Sequence, residues 1–206
     1  MAAKGMSVNR IKGVATAVLA VSFFAVSVYG CGEKKITETK LSINKDGSIN
    51  NVIFDDFGEE YYELSELEDM AADEISYYNS EYDSPRISLE ESTLSEDGKV
   101  SLSMNFSNYI DFAHFNQVTF FYGTVSEATD KGFSVSGDLV NSQGETISLD
   151  ELDDINDRHI IITGDKTGII APFKISYMTK GVVLKDKKEA DLSGVTADIV
   201  QLLLSK

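Results

Sequence analysis

Cysteine and histidine, the side chains most often used for nucleophilic attack and metal binding, are rare in this chain of 206 residues. Cys31 is the only cysteine, which excludes an internal disulfide and a zinc cluster built from cysteines. His114 and His159 are 45 residues apart and lack the His-Glu-x-x-His spacing of zinc enzymes. We therefore predict no metal site, no cofactor and no catalytic residue from these side chains.

Motifs of other catalytic and ion-binding classes are incomplete. The run Gly132–Ser136 lacks the second glycine of a Gly-x-Ser-x-Gly nucleophile turn. The run Gly164–Thr167 lacks the upstream glycine of a phosphate-binding loop, and we predict a hairpin turn there. The acidic run Asp150–Asp157 does not place oxygen ligands and glycine where an EF-hand needs them. This run predicts a short helix or turn, with a calcium site of another kind as the alternative.

The first 30 residues combine a basic start with a long uncharged run. Lys4, Arg10 and Lys12 are the only charged residues before Glu33, and 18 uncharged residues extend from Gly13 to Gly30. This pattern is typical of a secretory signal peptide. As a helix the run would span about 27 Å. That length is close to the hydrocarbon core of about 30 Å, so an uncleaved signal anchor is an alternative.

The end of this run carries the most specific motif of the chain. Val28-Tyr29-Gly30-Cys31 resembles the lipobox of bacterial lipoproteins, although a residue smaller than tyrosine is commoner before the glycine. The resemblance implies that a diacylglyceryl group is attached to the Cys31 sulfur and that a signal peptidase cleaves between Gly30 and Cys31. A thiolate is the nucleophile that a thioether bond requires. Two acyl chains give stable anchoring, whereas one chain is marginal.

The lipobox divides the chain into three segments. We predict a signal peptide over 1–30, a lipidated N-terminus and tether over 31–40, and an extracytoplasmic domain over 41–206. Membrane lipid is then a partner through acylated Cys31, and the protein is anchored on the extracytoplasmic face of the cell membrane. A conventionally cleaved, secreted protein is a further alternative. In composition, the acidic and tyrosine-rich mature domain resembles uncharacterised lipoproteins of Gram-positive bacteria.

Acidic residues dominate the chain and concentrate in one segment. The sequence holds 34 Asp and Glu against 18 Lys and Arg, a formal charge of −16 that becomes −19 without residues 1–30. This charge argues against a nucleic-acid partner. Residues 46–97 contain 17 acids and one base, Arg86. The segment predicts a docking surface for a cationic protein or cell-envelope partner, a region that gathers divalent cations, or a solvated face that maintains solubility.

Alternating apolar residues around turn residues predict two β-hairpins in the first half of the domain. The first hairpin turns at Asn44–Gly47, and its alternation slips by one residue, which predicts a bulge near Asn50 and Asn51. The second hairpin turns at Glu96–Gly98.

A helix is predicted between the two hairpins, over 65–80. Its apolar residues recur at intervals of three and four: Leu64, Leu67, Ala71, Ile75 and Tyr78. Ser65 and Glu68 have the spacing of a capping box at its start.

The second half of the domain mixes short helices and strands. The predicted elements are a short helix over 109–115, a strand over 118–122, a helical turn over 126–131, and strands over 159–163 and 173–177. Apolar residues from Val195 to Leu203 predict a C-terminal helix, with a strand from Ile199 as the alternative. The fold class is therefore α+β, a single domain with an antiparallel or mixed sheet built from hairpins.

Seven aromatic residues between Phe106 and Tyr122 are open to two interpretations. Their spacing is that of a packed core, and the alternative is a stacking surface for glycans. We expect a membrane-anchored binding or envelope-assembly module, and the alternative is a small cell-surface hydrolase that uses carboxylates. An enzyme requires a pocket with two inward carboxylates in unlike surroundings, whereas a binding module requires an exposed apolar or charged patch.

Overall fold

The computed structural model describes residues 37–58, 63–146, 148–149 and 152–205. These residues belong to one compact unit, Ile36–Lys206. Within the described residues the fold contains eleven strands, three α-helices and a short 3-10 helix, which is the predicted α+β class. The predicted signal peptide, the lipobox and most of the tether lie outside the described residues.

The described elements follow one another in chain order. The strands are β1 (Lys40–Ile43), β2 (Ile49–Asp56), β3 (Ile87–Leu94), β4 (Lys99–Phe106), β5 (Phe120–Thr124), β6 (His159–Thr163), β7 (Gly168–Ile170), β8 (Ile175–Met178), β9 (Val183–Leu184), β10 (Glu189–Asp191) and β11 (Val200–Leu204). The helices are α1 (Leu64–Asn79), α2 (Tyr109–Asn116) and α3 (Val125–Asp130), and the 3-10 helix is Ile155–Asp157.

The strands form two sheets. The larger has seven strands in the order β3-β4-β2-β1-β7-β10-β9, and the smaller has four in the order β5-β6-β11-β8. The larger sheet is mixed, since β1 pairs in parallel with β7 and antiparallel with β2. A core cluster contains residues of both sheets together with Ile75 of α1 and Phe112 of α2. A second cluster contains the opposite face of the small sheet and α3.

Both predicted hairpins are confirmed, but the predicted bulge in the first is wrong. The register between β1 and β2 is continuous from the Lys40–Val52 pair to the Ile43–Ile49 pair. Asn51 is only 7% exposed and occupies an inward position between Ile49 and Ile53. The break in the apolar alternation that predicted the bulge is thus caused by a polar residue, Asn51, at a buried position of a regular strand. An irregular register occurs instead in β3, between Leu89 and Glu91.

The predicted helix over 65–80 is confirmed as α1, whereas its predicted capping box is wrong. Glu63 is the N-cap residue, and its side chain makes no capping hydrogen bond. Glu68 instead accepts a hydrogen bond from the Ser92 hydroxyl on β3. A capping box does occur at α3, where Thr124 Oγ1 accepts from Glu127 N at 3.2 Å and Glu127 Oε2 accepts from Thr124 N at 2.7 Å.

The C-terminal helix predicted from Val195 is wrong, and the alternative strand is found as β11. This strand lies between β6 and β8, and all five of its residues are buried. Because both faces of the strand are covered, its sequence is apolar without strict alternation, and a short apolar run of this kind does not distinguish strand from helix.

The loop at Gly164–Thr167 is not the predicted hairpin turn. It connects β6 of the small sheet to β7 of the large sheet. Lys166 Nζ donates to Val195 O at 2.7 Å and also to Ala197 O, which fixes the loop to the segment before β11. The acidic run Asp150–Asp157, predicted as a short helix or turn, contains the 3-10 helix in its second half, while Asp150 and Glu151 lie outside the described residues.

We expect Thr124→Ala to lower the free energy of unfolding by about 1 kcal/mol, because it removes the hydroxyl that caps α3. The hydrogen bonds that Thr124 donates to the Glu127 carboxylate also hold the pKa of Glu127 below its usual range, so the contribution of these bonds is present above about pH 4.3 and is lost as the pH falls further. Urea unfolding at pH 7 and pH 3 measures both effects.

The matched control is Ser65→Ala in α1, since Glu63 is the N-cap residue there and Ser65 lies inside the helix. This variant should unfold like the unaltered chain. A loss at Ser65 equal to that at Thr124 would contradict the assignment of the capping box.

Candidate functional site

A groove lies between α1 and α2 on the acidic part of the molecule. It includes a cavity of about 480 Å³. The cavity is lined by Asp73, Glu74, Tyr77 and Tyr78 of α1, by His114 and Phe115 of α2, and by Gln117. Carboxylates, aromatic rings and one histidine thus converge from two helices that are separated by 29 residues in the chain.

A second cavity, of about 260 Å³, adjoins the first and shares Glu74 and Phe115 with it. Its remaining lining residues are Leu67, Met70 and Ala71 of α1, Ile53 of β2, Leu102 and Met104 of β4, and Asn116 at the end of α2. This part of the groove is mainly apolar and reaches the sheet beneath the helix. We call the two cavities together the α1 groove.

The groove exists because α1 buries only part of its surface. Ile75 is the buried residue of the helix, and Ala71 and Tyr78 pack beside it against the core. Met70 and Tyr77, which lie farther around the same helix, are 64% and 76% exposed. Large exposed apolar side chains beside a groove are typical of interaction surfaces.

The electrostatic environment of α1 is strongly negative. Six exposed acids lie on the helix or within two residues of its ends: Glu63, Glu66, Asp69, Asp73, Glu74 and Glu81. Within the described part of the chain, no carboxylate of α1 has a basic partner within 4.0 Å. Arg86, the single base of segment 46–97, lies over the Tyr82 ring at 5.2 Å from its centroid. Within the described residues, the negative charge of α1 is therefore not neutralised by ion pairs.

A partly buried chain of hydrogen bonds connects the two helices that form the groove. Tyr82 Oη donates to Tyr78 Oη at 3.2 Å, and Tyr78 Oη donates to Asp111 Oδ1 at 3.1 Å. Asp111 is 4% exposed, and its second oxygen, Oδ2, has no hydrogen-bond partner among the described residues. Burial, with the neighbouring Tyr82 and Asp111, raises the pKa of Tyr78, so that its phenol remains protonated and donates to the carboxyl group.

Helix α2 holds its side of the groove through a cap and through aromatic packing. Asn108 Oδ1 accepts from the amides of Ile110 and Asp111 at 2.8 and 3.1 Å. The Phe115 ring packs edge-on against Tyr78 and Phe106, with centroid distances of 5.8 and 5.7 Å. The groove wall is thus a continuation of the aromatic core.

The chemistry available in the groove favours binding over hydrolysis. Asp73 and Glu74 are neighbours on the exposed surface of one helix, and Asp111 is the only fully buried acid among the described residues. Carboxylate catalysis needs an acid and a base in unlike surroundings on opposite sides of a substrate. Exposed carboxylates around an apolar groove are instead suited to long-range attraction of cationic groups.

Several residues singled out in the sequence have other positions. Gly30 and Cys31 lie outside the described residues. The aromatic residues from Phe106 to Tyr122 lie in the core or pack against it, which confirms the packing interpretation. His159 stacks on Tyr122 with a centroid distance of 5.4 Å. The described residues contain no group of three or more His, Cys, Asp or Glu suited to a metal ion.

The sequence did not predict that His114 lines the α1 groove. No local signal marks it, because its role follows from the packing of α2 beside α1. The acidic charge of the site, by contrast, is predictable from composition.

In the part of the chain that the structure describes, no helix has both the length and the apolar character needed to cross a bilayer.

We expect Tyr78→Phe to lower the free energy of unfolding by about 1–3 kcal/mol, because both oxygens of the buried Asp111 carboxyl group then lack a partner. Tyr77→Phe is the matched control, since Tyr77 is exposed, and its effect should stay within about 0.5 kcal/mol. Urea unfolding measures both variants. Equal stability of the two variants would contradict the structural role of the hydrogen-bond chain.

No family model matches this sequence, and comparison with characterised proteins and with solved structures also found no match. The features that bear on function are therefore the lipobox-like residues of the sequence and the α1 groove of the structure.

Proposed function

We propose that this protein is a lipoprotein anchored to the extracytoplasmic face of the cell membrane, and that its folded domain binds a cationic protein or envelope component. The observation that carries the binding role is the α1 groove, which combines uncompensated carboxylates with exposed apolar side chains. The anchoring role depends on the residues from Lys4 to Cys31 and their resemblance to a lipoprotein signal peptide.

The groove has the two components that selective binding of a cation requires. Its apolar part, lined by Leu67, Met70 and Met104, offers a volume of about 260 Å³. A cavity of about 150 Å³ accepts a benzene molecule, so a large apolar side chain fits. The exposed Tyr77 and Met70 provide aromatic and sulfur contacts, which are enriched at interface centres.

The carboxylates contribute attraction and orientation. Asp73 and Glu74 line the cavity and have no ion-pair partner within 4.0 Å in the described part of the chain. A basic side chain of a partner would thus find acceptors without breaking an existing ion pair. Long-range attraction by the surrounding acids raises the rate of encounter and makes it sensitive to salt.

Anchoring concentrates the groove at the membrane. Two acyl chains on Cys31 would hold the protein stably in a leaflet. The chain from Cys31 to Glu38 spans seven residues, or at most about 25 Å when extended. The domain would therefore encounter partners in a thin layer above the membrane, where even modest affinity gives high occupancy.

The anchor is tested by metabolic labelling of cells with a radioactive fatty-acid precursor. The unaltered chain should incorporate label and migrate as a processed form that begins at Cys31. Cys31→Ala should incorporate none and retain residues 1–30, since the thioether cannot form. Label in Cys31→Ala equal to that in the unaltered chain would contradict lipidation, and Ser27→Ala is the control that should label normally.

Binding is tested with a synthetic amphipathic helix of Lys and Leu, titrated by fluorescence into the full chain in a neutral detergent. The double variant Asp73→Asn/Glu74→Gln should weaken binding by about 0.4–2 kcal/mol, or roughly 2- to 30-fold, because two exposed charge pairs are lost. Affinity should also fall steeply as salt shortens the Debye length from about 10 Å at 0.1 M to about 3 Å at 1 M.

The matched control removes the same charge from the exposed Glu90 and Glu91 of β3, which do not line the groove. Glu90→Gln/Glu91→Gln should retain most of the affinity. An equal loss in both double variants would show attraction by the net charge alone, and would contradict binding in the groove.

A further inference from the structure

The seven-stranded sheet separates the charges of the domain along its width. Strand β3 forms one edge, with α1 packed against it, and β9 forms the other edge. Residues 63–97, which contain α1 and β3, hold twelve acids and one base. Residues 174–191, which contain β9 and β10, hold five lysines and three acids. We call these the acidic edge and the lysine edge.

The described start of the chain is fixed to the lysine edge. Glu38 Oε2 lies 2.6 Å from Lys185 Nζ, and Glu38 Oε1 lies 3.0 Å from Lys40 Nζ. Lys40 Nζ in turn lies 2.6 Å from Glu189 Oε1 of β10. These ion pairs tie the segment before β1 to the turn between β9 and β10. An anchor at Cys31 therefore holds the lysine edge within about 25 Å of the leaflet.

Several lysines of this edge are available to an external anion. Lys174 and Lys187 are exposed and have no ion-pair partner within 4.0 Å in the described residues. The amide of Ile175 donates to Lys187 O at 2.8 Å, which places the two lysines on adjoining segments. Lys188 Nζ donates to Pro172 O at 2.7 Å beside them. Lysines near a membrane surface are attracted to anionic headgroups.

The distance between the two edges determines whether a charged surface that touches one edge also affects the other. Six strand spacings of about 4.8 Å place the edges about 29 Å apart. The Debye length at physiological salt is about 8 Å, so a surface that touches one edge scarcely affects the other. An anionic leaflet would attract the lysine edge and repel the acidic edge, and both effects favour the same orientation.

We infer that the lysine edge rests against an anionic lipid surface and directs the α1 groove away from the membrane. This inference depends on the proposed lipid anchor, but it arises from a different surface than the groove. It also gives the charge asymmetry a role, because the groove then faces the space from which a partner approaches.

The orientation is tested on the lipidated, processed chain that begins at Cys31, in vesicles of phosphatidylglycerol and phosphatidylcholine. Because Cys31 is the only cysteine and its sulfur carries the diacylglyceryl group in the anchored chain, Val183→Cys and Glu90→Cys each introduce a single free thiol for a fluorophore. Val183 is an exposed residue of β9, so this probe keeps every lysine of the lysine edge. A lipid with a quencher on its headgroup should quench the fluorophore at 183 several-fold more strongly than the fluorophore at 90. The difference should shrink in pure phosphatidylcholine and in 1 M salt.

Lys174→Gln/Lys180→Gln should reduce the difference, whereas Lys131→Gln, which removes an exposed lysine beside α3, should leave it unchanged. Equal quenching at both positions on vesicles that carry the protein would overturn the orientation and leave the anchor intact. A chain that does not associate with vesicles at all would overturn both the anchor and the orientation.

Discussion

Strand β1 joins the two halves of the seven-stranded sheet. Its four residues pair antiparallel with β2 on one side, and three of them pair in parallel with β7 on the other. Leu41 and Ile43 are almost fully buried in the core beneath it. The acidic half, β3-β4-β2, and the lysine-rich half, β7-β10-β9, are therefore held at a fixed spacing by one short strand. The segment that precedes β1 in the sequence leads back to Cys31, the site of the proposed anchor.

The α1 groove follows from how little of α1 is buried. A helix of 16 residues that buries only Ile75 derives limited stability from packing. Its position is secured by half-buried neighbours and by the Tyr82–Tyr78–Asp111 hydrogen-bond chain, which connects it to α2. The same arrangement leaves space between the two helices. The groove is thus the unfilled space between the two helices, and the Tyr82–Tyr78–Asp111 hydrogen-bond chain keeps its walls in place.

The sequence predicts the local parts of this fold and misses the long-range parts. Both hairpins and α1 are recognisable because their signals, such as the turn Asn44–Gly47, lie within a few residues. Strands β7, β9 and β10 are two or three residues long and depend on partners distant in the chain, as in the Leu41–Ile169 pair. The acidic character of the site is a matter of composition. The groove itself depends on contacts between Tyr78 and Phe115, which no local pattern encodes.

The charge pattern of α1 is difficult to explain as a device for stability alone. Glu66, Asp69 and Asp73 succeed one another at intervals of three and four residues, and like charges at this spacing destabilise a helix by about 0.2–0.5 kcal/mol per pair. The exposed Met70 beside them adds no compensating burial. A solvated face would need neither the apolar side chain nor so many neighbouring acids. The proposed cationic, partly apolar partner would relieve the repulsion and cover the methionine, so the proposed binding surface would account for both features with one cause.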